Sequence, residues 1–177
     1  VDFETRDDVT IPEYLKMIEY KTAVLVGAAM KMGAIIANTS KKAQDHIYEF
    51  GRNLGIAFQL QDDYLDAFGN PKTFGKQVGG DIIENKKTFL YLKSLEFSNQ
   101  IEAKELEHLF SIHPKDPTDK IATVKSIFLE SGAAQRTKEE IELFTQKAFD
   151  VLAKLEISED KKWMLRKFGE SLMQREV

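Results

Sequence analysis

Asp62, Asp63 and Asp66, inside the segment FQLQDDYLD from Phe58 to Asp66, put three carboxylates into five residues of an otherwise apolar helical pattern. At roughly 100° per residue, Asp62 and Asp66 lie one turn apart on one helix face, and Asp63 lies on the neighbouring face. Like charges at this spacing repel unless something neutralises them, and oxygen-only ligands suit a hard divalent ion. Where few carboxylates meet phosphate oxygens, that ion is Mg2+. A solvated acidic helix turn is the alternative reading of a bare DDxxD. The nearly uncharged LGIAFQLQ before it favours the cation, as does a place near a helix C-terminus, where the helix dipole is unfavourable to carboxylates.

Two further features carry charge where chemistry could use it. Lys21 and Thr22 fall in the apolar part of an earlier helical pattern, although a lysine there can also extend its ammonium to the surface. In FGKQVGGDIIENK, Lys76 sits in a Gly-rich stretch, and Asp81 and Lys86 follow at the start of the next helix. Glycines let backbone N–H groups approach an anion and lysine supplies a point charge for phosphate, while a plain solvated loop is the competing reading. The three histidines, His46, His108 and His113, lack metal-ligand spacing and read as surface or packing residues.

The elements that position these groups are all helical. Thr10, Pro12 and Glu13 form a capping box with proline in the first turn, opening a mostly buried helix that should run to about Asn38. Its expected apolar face is Leu15, Ile18, Ala23, Val26, Met30, Gly33 and Ile36 or Ala37. Ser40 caps a second long helix carrying Ile47, Phe50, Leu54, Ala57, Phe58, Tyr64, Leu65 and Phe68, with Gly69 as its stop. Gly69 to Gly80 reads as a loop. Amphipathic helices follow at about Asp81 to Glu96, Ile101 to Ile112, Asp119 to Ser131, Ala133 to Leu155 and Ser158 to Arg175. No alternating strand pattern occurs, so the expected fold is all-α, a bundle around a long central pair.

Composition narrows the function classes. A chain of 177 residues with 42% hydrophobic and 31% charged residues is sized for one core and one domain. The absence of cysteine excludes disulfides and thiolate metal sites and fits a reducing cytoplasm. A net charge of -4 argues against a general nucleic-acid surface, and the longest apolar run, Ala23 to Ala37, is interrupted by Lys31 and too short for a comfortable membrane span.

Taken together and in order, KT, FQLQDDYLD and GKQVGGDIIENK resemble the C-terminal half of the trans-type polyprenyl diphosphate synthases, which include farnesyl and geranylgeranyl diphosphate synthases. The specific resemblance runs from about Ile11 to Lys93 and continues as generic helices. It implies an isoprenoid-synthase-type helical bundle and the family's second aspartate-rich motif at Asp62, Asp63 and Asp66, the metal-binding acids. Asp62 would be a direct Mg2+ ligand, with Asp66 assisting through water or a lysine. Lys21 and Thr22 would lie near the allylic diphosphate and Gln59 would contact substrate. Lys76 and Lys86 would neutralise the diphosphate and hold the acidic motif, and Phe58 would touch the prenyl tail. Lys21, Asp62 and Lys76 would carry catalysis. The implied reaction ionises an allylic diphosphate, whose carbocation alkylates isopentenyl diphosphate with loss of a proton.

The family's first aspartate-rich motif and its following arginine pair have no counterpart here. The chain is therefore expected to be the C-terminal part of a single synthase domain, with the N-terminal half absent and no complete catalysis by this fragment. Arg175 is read as a helix-end charge rather than a diphosphate ligand. A homodimer of the full-length protein is expected, from Ala28, Ala29, Gly33 and neighbouring apolar residues and from the resemblance. The alternatives are a noncatalytic helical subunit of the same fold and a helical interaction module.

Overall fold

Thr10 and Glu13 form the reciprocal cap that their spacing predicts. The Thr10 backbone N–H donates to Glu13 Oε2 at 2.9 Å, and the Glu13 N–H donates to Thr10 Oγ1 at 3.4 Å. The computed structural model describes residue 6, residues 8–70 and residues 78–174. From the cap, helix α1 spans Ile11–Ile18, a π-helical turn follows at Glu19–Ala23, and α2 spans Val24–Ile36. After it come α3 (Lys41–Phe68), α4 (Gly80–Ile83), α5 (Phe89–Phe97), α6 (Gln100–Leu109), α7 (Thr118–Glu130), α8 (Ala133–Ala153) and α9 (Glu159–Met173). No strand occurs among the described residues, as expected. None of their helices is long and apolar enough to cross a membrane.

The first long helix differs from its expectation in two ways. The π turn inserts one extra residue, so the buried positions Tyr14, Ile18, Ala23 and Gly27 advance by four, five and four residues. Burial is also confined to that one side. Gly33, Ile36 and Ala37 are exposed, and Leu25, Met32 and Ile36 show 72%, 62% and 80% of their surface. The expected helix at Asp81 to Glu96 is two helices, because Asn85 takes a positive φ of 57° after α4 and breaks the path before the extended Thr88 leads into α5. The helix expected to reach Ile112 ends at Leu109. The other boundaries lie within two residues of expectation, apart from Arg175, which is outside the described residues.

The helices gather into two compact units. One holds the residues up to Tyr14 together with Gln61–Glu139. Here α4, α5 and α6 each pack on α7, whose Val124, Ile127 and Phe128 are buried. The buried ammonium of Lys120 donates to Asn85 Oδ1 and, at 3.0 Å, to the Ile112 carbonyl, tying the ends of α4 and α6 to α7. The other unit holds Leu15–Leu60 and the described residues from Glu140 on. Its core joins Ile47, Phe50 and Leu54 of α3 to Ala148, Phe149 and Leu152 of α8.

Glycine lets α2 and α3 approach closely inside this second unit. A Cβ on Gly55 would lie 2.6 Å from the Cα of Ala23, and one on Gly51 would lie 3.0 Å from the Cα of Gly27. Arg52, on the same stretch of α3, pairs with Glu19 at 2.9 Å and Glu49 at 2.6 Å, fastening the first residue of the π turn.

Candidate active site

The acidic turn occupies the last two turns of α3. Gly69 ends that helix, its N–H donating to the Leu65 carbonyl at 2.7 Å, and a Cβ there would meet the same oxygen at 2.5 Å. Asp62 and Asp66 are partly exposed, whereas Asp63 is buried at 8%. Asp63 accepts a short hydrogen bond from the hydroxyl of Tyr14, which is itself 1% exposed. Burial, and then the negative charge of Asp63, push the Tyr14 phenol well above its ordinary range, so it remains a donor.

Asp66 turns to the backbone of α4. Its Oδ2 accepts the Asp81 N–H at 2.8 Å, and its carbonyl accepts the Gly79 N–H at 2.6 Å. Gly79 supplies the left-handed φ of 86°, and Gly80 supplies room, since a Cβ there would lie 3.1 Å from Asp66 Oδ1. The glycine pair here accommodates the protein's own carboxylate. Burial pushes the Asp66 carboxyl up to about 6, with the charges of Asp81 and Asp62 acting in the same direction. The Asp81 N–H and the Lys86 charge oppose that shift.

Lys86 pairs with Asp81 Oδ1 and with Glu84 Oε2, both at 2.8 Å. Those hydrogen bonds and charges hold its ammonium above the ordinary lysine value against the opposing effect of burial. It therefore reaches the acidic turn through Asp81, a residue that follows the glycines directly in sequence and is a further member of the site. A small cleft beside this cluster is lined by Asp63, Asp66, Asp81, Lys86 and Thr88. Among the described residues no three acidic or imidazole side chains converge as a ready metal cage. The donor set fits a different mode, in which one or two carboxylates and the oxygens of a phosphate share a hard cation.

The remaining sequence candidates lie in the other unit. The Thr22 hydroxyl donates to Gln59 Oε1 at 3.0 Å. Lys21 is exposed on the π turn, and Phe58 is half-buried. Lys76 lies outside the described residues.

Known proteins share this arrangement of helices. A family model described as polyprenyl synthetase matches residues 1–128. A short chain isoprenyl diphosphate synthase of Methanothermobacter thermautotrophicus is 41% identical over 133 residues, covering 75% of this chain and 40% of its own. A crystal structure of a geranylgeranyl pyrophosphate synthase superposes with a TM-score of 0.92 at 54% identity, over 99% of this chain and 55% of that one. Another, from Corynebacterium glutamicum and complexed with isoprenyl diphosphate and magnesium, has a TM-score of 0.89 at 26% identity over 98% and 49%. The fold is thus the all-α isoprenoid-synthase type. The chain belongs to the polyprenyl synthetase family and spans about half the length of the relatives it matches.

Proposed function

We propose that this chain is the part of a cytoplasmic polyprenyl diphosphate synthase that binds and helps ionise the allylic diphosphate, with Mg2+ as the cofactor. The observation that carries the reading is the assembled acidic turn. Asp66, one helical turn from Asp62, is seated on the α4 backbone at Asp81, and Lys86 is fixed on Asp81. Asp62, assisted by Asp66, would hold the cation, and Mg2+ when bound supplies charge neutralisation at the diphosphate oxygens.

The chain's own residues do the rest. Lys86, held on Asp81, presents positive charge to a diphosphate that becomes more negative as the C–O bond breaks, favouring the transition state over the bound substrate, and the family resemblance would add Lys21 and Lys76 to that role. Gln59, oriented by Thr22, would contact the substrate, and the ring of Phe58 would touch the prenyl tail, where apolar surroundings would keep water from the allylic cation. Alkylation of isopentenyl diphosphate, followed by loss of a proton, gives the longer trans-prenyl diphosphate. The basic groups that hold isopentenyl diphosphate in the family have no counterpart here, so the chain alone binds the allylic substrate without completing turnover.

The partner is a second copy of the chain. Leu25, Ala29, Met32 and Ile36 form an exposed stripe along α2, within about 60° of one another at helical spacing. Calorimetry with geranyl diphosphate and isopentenyl diphosphate tests the substrate assignment. Mg2+-dependent binding of the allylic compound alone is expected. Equal binding of both, or of neither, would contradict it. Product formation by the isolated chain above an Asp62→Ala control would overturn its inactivity.

A further inference from the structure

The three acids of DDYLD do not share one environment. Asp62 and Asp66 are partly exposed, while Asp63 is buried and accepts the hydroxyl of Tyr14, a residue that precedes it by 49 positions. On a helix Asp62 and Asp66 differ by about 40° in azimuth, and Asp63 stands about 100° from Asp62. Holding Asp63 inward therefore fixes the rotation of the last turns of α3 and sets the direction in which the other two acids face.

Tyr14 is well placed to do this. It lies one turn into α1, where its N–H donates to the Thr10 carbonyl at 2.9 Å. Its ring packs on Phe89 at 6.2 Å between centroids, and Phe89 is the first residue of α5, just after Lys86. The phenol is thus held by α1 and α5 while its hydroxyl grips α3. For Asp63 to reach a cation, this buried bond would have to break and the carboxylate would have to leave a site that is 8% exposed.

We infer that Tyr14 is a positioning residue for the acidic turn, holding Asp63 as an inward anchor so that Asp62 and Asp66, and not Asp63, face the cation. The inference rests on the proposed Mg2+-diphosphate site. It reverses the reading of all three acids as metal ligands. Asp63 keeps its chemistry as an acceptor, which an amide oxygen can replace, whereas a ligand's charge cannot be replaced in that way.

Pyrophosphate binding to the full 177-residue chain, titrated by calorimetry with and without Mg2+, separates the two roles. Asp63→Asn should bind within about 3-fold of wild type. Tyr14→Phe should weaken Mg2+-dependent binding roughly 10-fold, in the range of lost outer-shell support, with the helical circular dichroism retained. Asp62→Asn should lose binding more severely than either. Leu152→Ala, a core truncation in the other unit, should lower the melting temperature and leave the affinity unchanged, which separates positioning from general stability. Loss in Asp63→Asn equal to that in Asp62→Asn, or wild-type affinity in Tyr14→Phe, would overturn the inference while leaving the site intact. Absence of Mg2+-dependent binding in the wild type would refute the site and the inference together.

Discussion

Asp66 resists ionisation because folding partly buries it beside Asp81 and Asp62, and its carboxyl rises from the ordinary 3.8 to about 6. Between those values the folded chain keeps a proton that the unfolded chain has released. Stability attributable to this group is therefore greatest at low pH, declines as pH rises through the window, and levels off above it. Urea unfolding at about pH 4 and about pH 7 should show wild type losing more stability than Asp66→Asn over that interval, and equal losses would contradict the assignment. The spacing of the three acids was legible in the sequence, as was the face shared by Asp62 and Asp66. Which of them turned inward was not, because the partner that selects Asp63 is a tyrosine 49 residues earlier, brought close only by folding. Asp81 was legible beside the glycines, but its link to Asp66 was not, because its backbone N–H, not its side chain, makes the contact.

At the scale of elements, the π turn had left a trace in the sequence. Ile18 and Ala23 both belong to the expected apolar face, yet a regular α-helix does not bring residues five apart into line, and the insertion at Glu19–Ala23 reconciles them. The close packing of this helix on α3 rests on Ala23 and Gly27 against Gly55 and Gly51, and these glycines lay within helices read for their other apolar residues. Two effects compete at Gly55→Ala. Helix propensity favours alanine by roughly 1 kcal/mol, but the new Cβ would stand 2.6 Å from the backbone of Ala23. The clash should dominate, with a net loss of about 1–3 kcal/mol in urea unfolding, and a stabilised variant would contradict the close packing. The single helix expected over Asp81 to Glu96 failed at Asn85, a residue type that tolerates positive φ and so can end α4 without glycine.

For the whole molecule, the all-α class followed from the lack of alternating strand patterns, and the amphipathic segments gave most boundaries. The outward side of α2 was misjudged because a helix rich in alanine, valine and methionine reads as buried whether its second face meets its own chain or another. Leu25 and Ile36, at 72% and 80% exposure, belong to that face. Sedimentation of the wild type should give a dimer, and Leu25→Glu combined with Ile36→Glu should give a folded monomer, since charges buried in an apolar contact lose their hydration. A monomeric wild type would contradict this partner. The most direct test of the central claim is calorimetry of inorganic pyrophosphate binding to the wild-type chain and to Asp62→Ala, with Mg2+ present and after chelation. Binding by the wild type only when Mg2+ is present, and its loss in Asp62→Ala, is the expected result. Binding that ignores Mg2+ or survives Asp62→Ala would contradict the claim.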